Sequence, residues 1–292
     1  MKTRESIGGI LLVSISAASF GLIPFFAKMD YSAGTGTYTL LFLRFSAGAA
    51  FMFVLLAAKR LPLPTKKESL LFFALGALGY AGQSFCYFTA LNYASSSTVS
   101  LLLYTYPALV MLGSAAVFKE KITVKKVAAL CLALIGAFVI IGTKFDAGVR
   151  GVLLALLSAV FYSIYILISS RVVKEGQGIS SSAFIMLGAA AVYGIISMRV
   201  GFEPPKQASG FVAVILITLV STVIAFWSFL TGMEKTGPAV ASLVSTLEPV
   251  VTVVASVIIL SEPLTINLVV GGILVFSSLI VTVLPNERTG AA

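Results

Sequence analysis

Histidine is absent from this sequence, cysteine occurs only at Cys86 and Cys131, and charged residues make up 11% of 292 positions, against about 25% in an average soluble protein. Each scarcity removes a class of function. Without histidine there is no Ser-His-Asp triad and no zinc site, and two cysteines inside apolar runs make no disulfide framework. No glycine-rich phosphate loop occurs and no polar stretch is long enough for an ATPase domain, so ATP-driven pumping by this chain alone is not expected. An intramembrane enzyme would need clustered nucleophiles, carboxylates or metal ligands, which are also missing. The chain is expected to be no enzyme and to carry no cofactor or metal.

Hydrocarbon is what the sequence has. Hydrophobic residues make up 59% of it, and a mean hydropathy of +1.06 is spread too evenly for one anchor beside a soluble domain. Breaks at charges, glycine and proline leave ten apolar segments of bilayer length, at 7–27, 38–58, 69–91, 96–118, 124–143, 149–170, 180–199, 210–233, 238–260 and 266–284. The expected fold is an all-α polytopic membrane protein of ten transmembrane helices, with short tails at 1–6 and 285–292. The first segment is read as a permanent helix and not a signal peptide.

The net charge of +9 would raise nucleic-acid binding in a soluble protein, but its distribution argues for topology. With ten spans, 14 of the 20 Lys and Arg fall on the side of the termini, 5 on the opposite side, and Arg44 within a span. Both termini are therefore expected to be cytoplasmic, in the plasma membrane. The expected partners are a small-molecule substrate and the lipid bilayer, with no nucleic acid.

Shifted by 142 positions, the sequence matches itself without gaps: Gly9 meets Gly151, Ser16 meets Ser158, Pro107 meets Pro249, Ser114 meets Ser256, Glu120 meets Glu262 and Thr123 meets Thr265. Two repeats are implied, 7–143 and 149–284. Five spans per repeat is an odd number, so the second copy is expected upside down relative to the first. The lysines agree: Lys66, Lys67, Lys121 and Lys125 become Ala208, Ser209, Pro263 and Asn267 in the second copy. Inverted repeats are the signature of alternating-access carriers; a scaffold enlarged by duplication is the plainer alternative. Two such copies in one chain can enclose a cavity, so a functional monomer is expected.

The segment from Glu248-Pro249 to Ser261-Glu262-Pro263-Leu264-Thr265 resembles the second repeat of an EamA domain, and Tyr106-Pro107 with Lys119-Glu120-Lys121-Ile122-Thr123 resembles the first. The resemblance covers residues 7–284. It is to the EamA family of the drug/metabolite transporter superfamily, and it implies ten helices, cytoplasmic termini, a central cavity and movement of small metabolites, often amino-acid export. Efflux of lipophilic cations and uptake or facilitated passage are the rival readings.

Two ionisable groups stand well inside spans, where a charge costs about 2.5–3.5 kcal/mol or more and should face a cavity or a partner. Glu248 lies ten residues past Pro238, about 15 Å deep. It heads a stripe with Ser245, Thr252 and Ser256, and serves either as a substrate-binding or proton-coupling carboxylate or as half of a buried pair with Arg44 or a tyrosine. Arg44 either binds a substrate carboxylate or snorkels to the interface. Tyr80, Gln83, Ser84 and Tyr87 make a polar face at helical spacing, as do Tyr162 and Tyr165 with Ser158, and Tyr104 with Ser97 and Ser100. Such faces line a cavity or glue helices together. Tyr106 occupies the Glu248 position of the first repeat, and Trp227 with Phe226 maps onto Phe85 and Ser84.

Overall fold

A computed structural model describes residues 2–90, 93, 94, 99, 102–141, 148–260 and 265–283. Within them the secondary structure is helical, with no strand: α1 Lys2–Gly21, α2 Ile23–Ser32, α3 Thr37–Ala58, α4 Lys66–Ala74, α5 Ala81–Ala90, α6 Tyr106–Phe118, α7 Val124–Ile141, α8 Val149–Val172, α9 Gly178–Val200, α10 Ala208–Thr218, α11 Ala225–Thr236, α12 Pro238–Val244, α13 Glu248–Leu260 and α14 Ile266–Val283. Ser97, Ser100, the Ser261 to Leu264 segment and the C-terminal tail lie outside the described residues.

Seven helices are long and apolar enough to cross a membrane among the described residues, at Ile7–Ser32, Thr37–Ala58, Lys66–Ala90, Val149–Val172, Gly178–Val200, Ala208–Thr236 and Pro238–Ile259, and Tyr106–Phe118 and Val269–Thr282 are shorter apolar helices. The first runs five residues beyond its expected end at 27. Pro24 falls in the first turn of α2, where a missing N–H costs no hydrogen bond, so the chain restarts a helix instead of ending one. Asp30 is carried inward by that extension and is fully buried, with one carboxylate oxygen accepting from Thr35 Oγ1 at 2.9 Å.

The distribution of polarity is that of a chain in hydrocarbon. Leu78, Ile195, Met198, Ile258 and Ile273 are exposed, while Ser16, Ser158, Ser221, Thr222 and Ser242 are completely buried. Many interior hydroxyls bond a carbonyl of their own helix, as Ser242 does to Ala239 at 2.9 Å and Thr246 to Leu243 at 2.6 Å. With no water to compete, that bond satisfies the hydroxyl locally.

Helix pairing follows the internal offset. The most extensive contacts join α3 with α9, α7 with α14, α1 with α11 and α5 with α8. Ser16 on α1 donates to the Ala225 carbonyl at 2.8 Å, and Ser158 on α8 donates to the Gln83 carbonyl at 3.1 Å. Both donors and both acceptors are 142 residues apart. Two π-helical stretches, Leu75–Tyr80 and Leu219–Ile224, interrupt the third and eighth expected spans at nearly matching places. Such wide turns frequently mark functional sites.

Candidate functional site

Helix breaks build the site. Pro249 has no N–H for the Ser245 carbonyl, which takes the Glu248 N–H instead, and the chain tightens into a 3-10 turn over Ser245–Leu247. Glu248 then opens α13, where the positive end of the helix dipole favours a carboxylate. In the first half, Tyr104 and Thr105 turn ahead of α6, which begins at Tyr106-Pro107. The break between α1 and α2 lies against the same point. A Cβ on Gly21 would come within 2.8 Å of the Glu248 carbonyl, and Thr252 Oγ1 donates to the Gly21 carbonyl at 2.9 Å and to the Glu248 carbonyl at 3.1 Å. At the equivalent position, Ser163 Oγ donates to the Tyr106 carbonyl at 3.3 Å.

Aromatic rings fill the space between these breaks. Tyr80 touches Phe226, Tyr165, Phe45 and Tyr162 edge-on, with centroids 4.6, 5.5, 5.7 and 6.3 Å away. Tyr106 meets Tyr162 at 4.7 Å, Tyr162 stacks on Tyr165 at 6.0 Å, and Phe45 stacks on Tyr193 at 6.0 Å. The group draws on five of the long apolar helices and on α6. Glu248 is within electrostatic reach of Tyr80, Tyr104, Tyr106 and Tyr162. Glu248 and Tyr162 are half-buried, while Tyr80, Tyr104, Tyr106 and Tyr165 are buried.

Arg44 enters from α3 and is only 3% exposed. Its Nε donates to Thr222 Oγ1 at 3.1 Å and its terminal nitrogen to the Ser221 carbonyl at 3.4 Å, both on the π-helical stretch Leu219–Ile224. The wide turn therefore presents the acceptors. Tyr80 lies near this guanidinium as well as near Glu248. Among the described residues the ion pairs are Lys126–Glu120 and Lys174–Glu68, so neither Arg44 nor Glu248 has an ionic partner there.

The residues expected in the site divide into four groups. Glu248, Arg44, Tyr80, Tyr104, Tyr106, Tyr162, Tyr165 and Ser245 come together, although the Ser245 hydroxyl donates to its own helix at Ala241, 3.0 Å away. Gln83 is buried but engaged: its amide donates to Ser158 Oγ at 3.2 Å and accepts from Ser84 Oγ at 3.1 Å, which fastens α5 to α8. Tyr87 packs beside Phe88 and a small cluster around Ala90, Val99 and Ala155, within reach of Tyr104. Trp227 is 37% exposed and turned away from the rings, and its neighbour Phe226 takes the inner place. Phe20, Phe45 and Tyr193 join the cluster without a sequence signal, because an aromatic inside an apolar run has no contrast with its neighbours.

Tyr193 donates its hydroxyl to the Ala81 carbonyl at 2.9 Å, whereas the buried Tyr165 hydroxyl has no partner among the described residues. Tyr193→Phe is expected to cost about 1 kcal/mol, and Tyr165→Phe close to nothing, in thermal unfolding of the purified protein. Equal losses would show that the two hydroxyls are held alike.

Apolar helices packed around a polar, aromatic interior with broken helices at its centre make this a polytopic membrane protein. Residues 7–142 and 149–284 each match the EamA-like transporter family, and the chain belongs to it. It is similar to the transporter YcbK of Bacillus subtilis, 26% identical over 92% of this chain and 91% of that one. A transporter of Archaeoglobus fulgidus is 28% identical over 82% of this chain and 86% of its own. The aromatic amino acid exporter YddG of Ancylobacter novellus is 28% identical over 84% of this chain and 90% of its own. A solved crystal structure shares the fold with a TM-score of 0.79 at 23% identity, covering 96% of both chains.

Proposed function

We propose that the chain is a secondary carrier that exports an amino acid bearing an aromatic or similarly planar side chain across the plasma membrane by alternating access. Residues 7–143 and 149–284 form two inverted five-helix halves, both termini are cytoplasmic, and one chain suffices. The reciprocal bonds Ser16–Ala225 and Ser158–Gln83 support the paired halves. The observation that carries the substrate is that Tyr80 lies near both Arg44 and Glu248, two interior ionisable groups with no ionic partner among the described residues. A zwitterion brings both: its carboxylate meets the unused N–H groups of Arg44, its ammonium meets Glu248, and its side chain lies among Tyr80, Tyr162 and Phe226. The name of the Ancylobacter novellus relative agrees with a planar side chain and with export.

Thermal shift of the detergent-purified protein tests this with phenylalanine, phenethylamine, which lacks the carboxylate, and 3-phenylpropionate, which lacks the amine. Phenylalanine is expected to stabilise the protein well beyond either analogue, by about 2.7 kcal/mol at a hundred times its Kd. In Arg44→Gln that advantage over phenethylamine should vanish. If phenethylamine stabilises the native chain as well as phenylalanine, the site takes lipophilic cations and Arg44 is structural.

A further inference from the structure

Two apolar hollows lie side by side on the flank of the protein, separated from the aromatic site by its own wall. One, of about 240 Å³, runs between the third expected span and α8 and is lined by Leu71, Leu75, Leu78, Phe161, Ile164 and Ile168, with Gly79 and Tyr165 at its floor. The other, of about 320 Å³, lies between α6 and α8 and is lined by Val117, Phe118, Leu167 and Arg171, again with Ile164 and Ile168. Ile164 and Ile168 are thus a ridge shared by both, 47% and 39% exposed. From Leu71 to Leu78 the first hollow follows its helix for about 10 Å.

At one end of the second hollow the character changes. Arg171, in the last turn of α8, is exposed and its guanidinium lies 4.4 Å over the Phe118 ring. A guanidinium over an aromatic face keeps N–H groups available to an anion. Lys119 directly follows Phe118, and Lys121 is exposed two residues on. The acid between them, Glu120, is already held by Lys126 at 3.0 Å. The rim therefore carries positive charge that no acid among the described residues pairs with, where the helix leaves the apolar region.

Two parallel apolar grooves either side of a ridge, with a fixed guanidinium at one end, have the shape and charge of a two-chained lipid with an anionic head. We propose that this flank binds one anionic phospholipid, an acyl chain in each groove astride Ile164 and Ile168 and the phosphate on Arg171. The bound lipid would press on Tyr165 from behind. Its chemistry is separate from that of the solute bound between Arg44 and Glu248, so the two assignments stand or fall apart.

Brominated lipids that quench tryptophan fluorescence test the assignment in reconstituted bilayers. Phe161→Trp in a Trp227→Phe background puts the only tryptophan beside the ridge, and the native chain, whose single tryptophan is Trp227, serves as the reference surface. Dibrominated phosphatidylglycerol and phosphatidylcholine are compared at equal mole fraction. The Phe161→Trp reporter should favour phosphatidylglycerol about fivefold, as one interfacial cation provides. Adding Arg171→Gln should abolish the preference, Arg171→Lys should keep most of it, and Trp227 in the native chain should show none. Equal quenching by the two lipids at Phe161→Trp, an unchanged preference with Arg171→Gln, or the same preference at Trp227 would overturn the proposal.

Discussion

Glu248→Gln removes ligand-induced stabilisation and transport while leaving the unliganded protein as stable as the native chain, or more stable. No ion pair to the carboxylate is present among the described residues, and it stands at the start of α13, where the helix dipole favours a negative charge. Keeping a charge in the membrane interior costs about 2.5–3.5 kcal/mol or more. Glutamine keeps the volume and removes that cost. The substrate ammonium, however, loses its only counter-charge in the cluster, and removal of one member of a buried charge pair weakens binding by about 2–5 kcal/mol, which is more than tenfold. The two signs together separate binding from packing. Were Glu248 half of a structural ion pair, glutamine would lower the melting temperature of the empty protein. Thermal unfolding with and without phenylalanine reads both quantities in one experiment.

Gly76→Ala is expected to produce the largest loss of stability of any conservative change. In the π-helical stretch Leu75–Tyr80, Gly76 faces α9 so closely that an added methyl would collide with the Ile185 carbonyl, and Gly188 on α9 meets the Phe73 carbonyl in the same way. The neighbours in both cases are backbone atoms, which cannot rotate aside. Separating the helices would also disturb Phe45, Tyr193 and Met186, all packed at that seam. Overpacking of this kind costs about 3 kcal/mol, and the thermal midpoint should fall by about 5 °C. Gly79→Ala is the control. Its methyl would meet Tyr165 Cβ at 3.4 Å, an ordinary contact, and the midpoint should barely move.

Polar residues in apolar runs were readable before any coordinates. Arg44, Tyr80, Tyr162 and Glu248 stand out because lipid would not tolerate them on an outer face, and they do share one interior cluster. Ser16 and Ser158, which the offset of 142 pairs in the sequence, each make an interhelical bond to a carbonyl, and those two carbonyls are also 142 residues apart. Polarity serves two purposes in the interior. Gln83 has the spacing of a cavity residue but is occupied between helices, and the sequence contains nothing to distinguish the cases. Phe20 and Phe45 escape for the opposite reason, being apolar among apolar neighbours; only the fold places them in the aromatic cluster. The end of the first span was set too early at 27 because Lys28 and Asp30 look like interfacial charges, whereas Asp30 is buried beside Thr35. The π-helical turns have no compositional mark at all, yet one of them supplies both acceptors that hold Arg44.

Counterflow in proteoliposomes tests the carrier mechanism most directly. Vesicles holding the purified protein are loaded with unlabelled phenylalanine and diluted into a trace of labelled phenylalanine. A carrier whose single site faces the two sides in turn exchanges one for the other, so label accumulates transiently above equilibrium and then decays, and Glu248→Gln shows no overshoot. Label that rises only to equilibrium, without an overshoot, or an overshoot unchanged in Glu248→Gln, would contradict an alternating site built around this carboxylate.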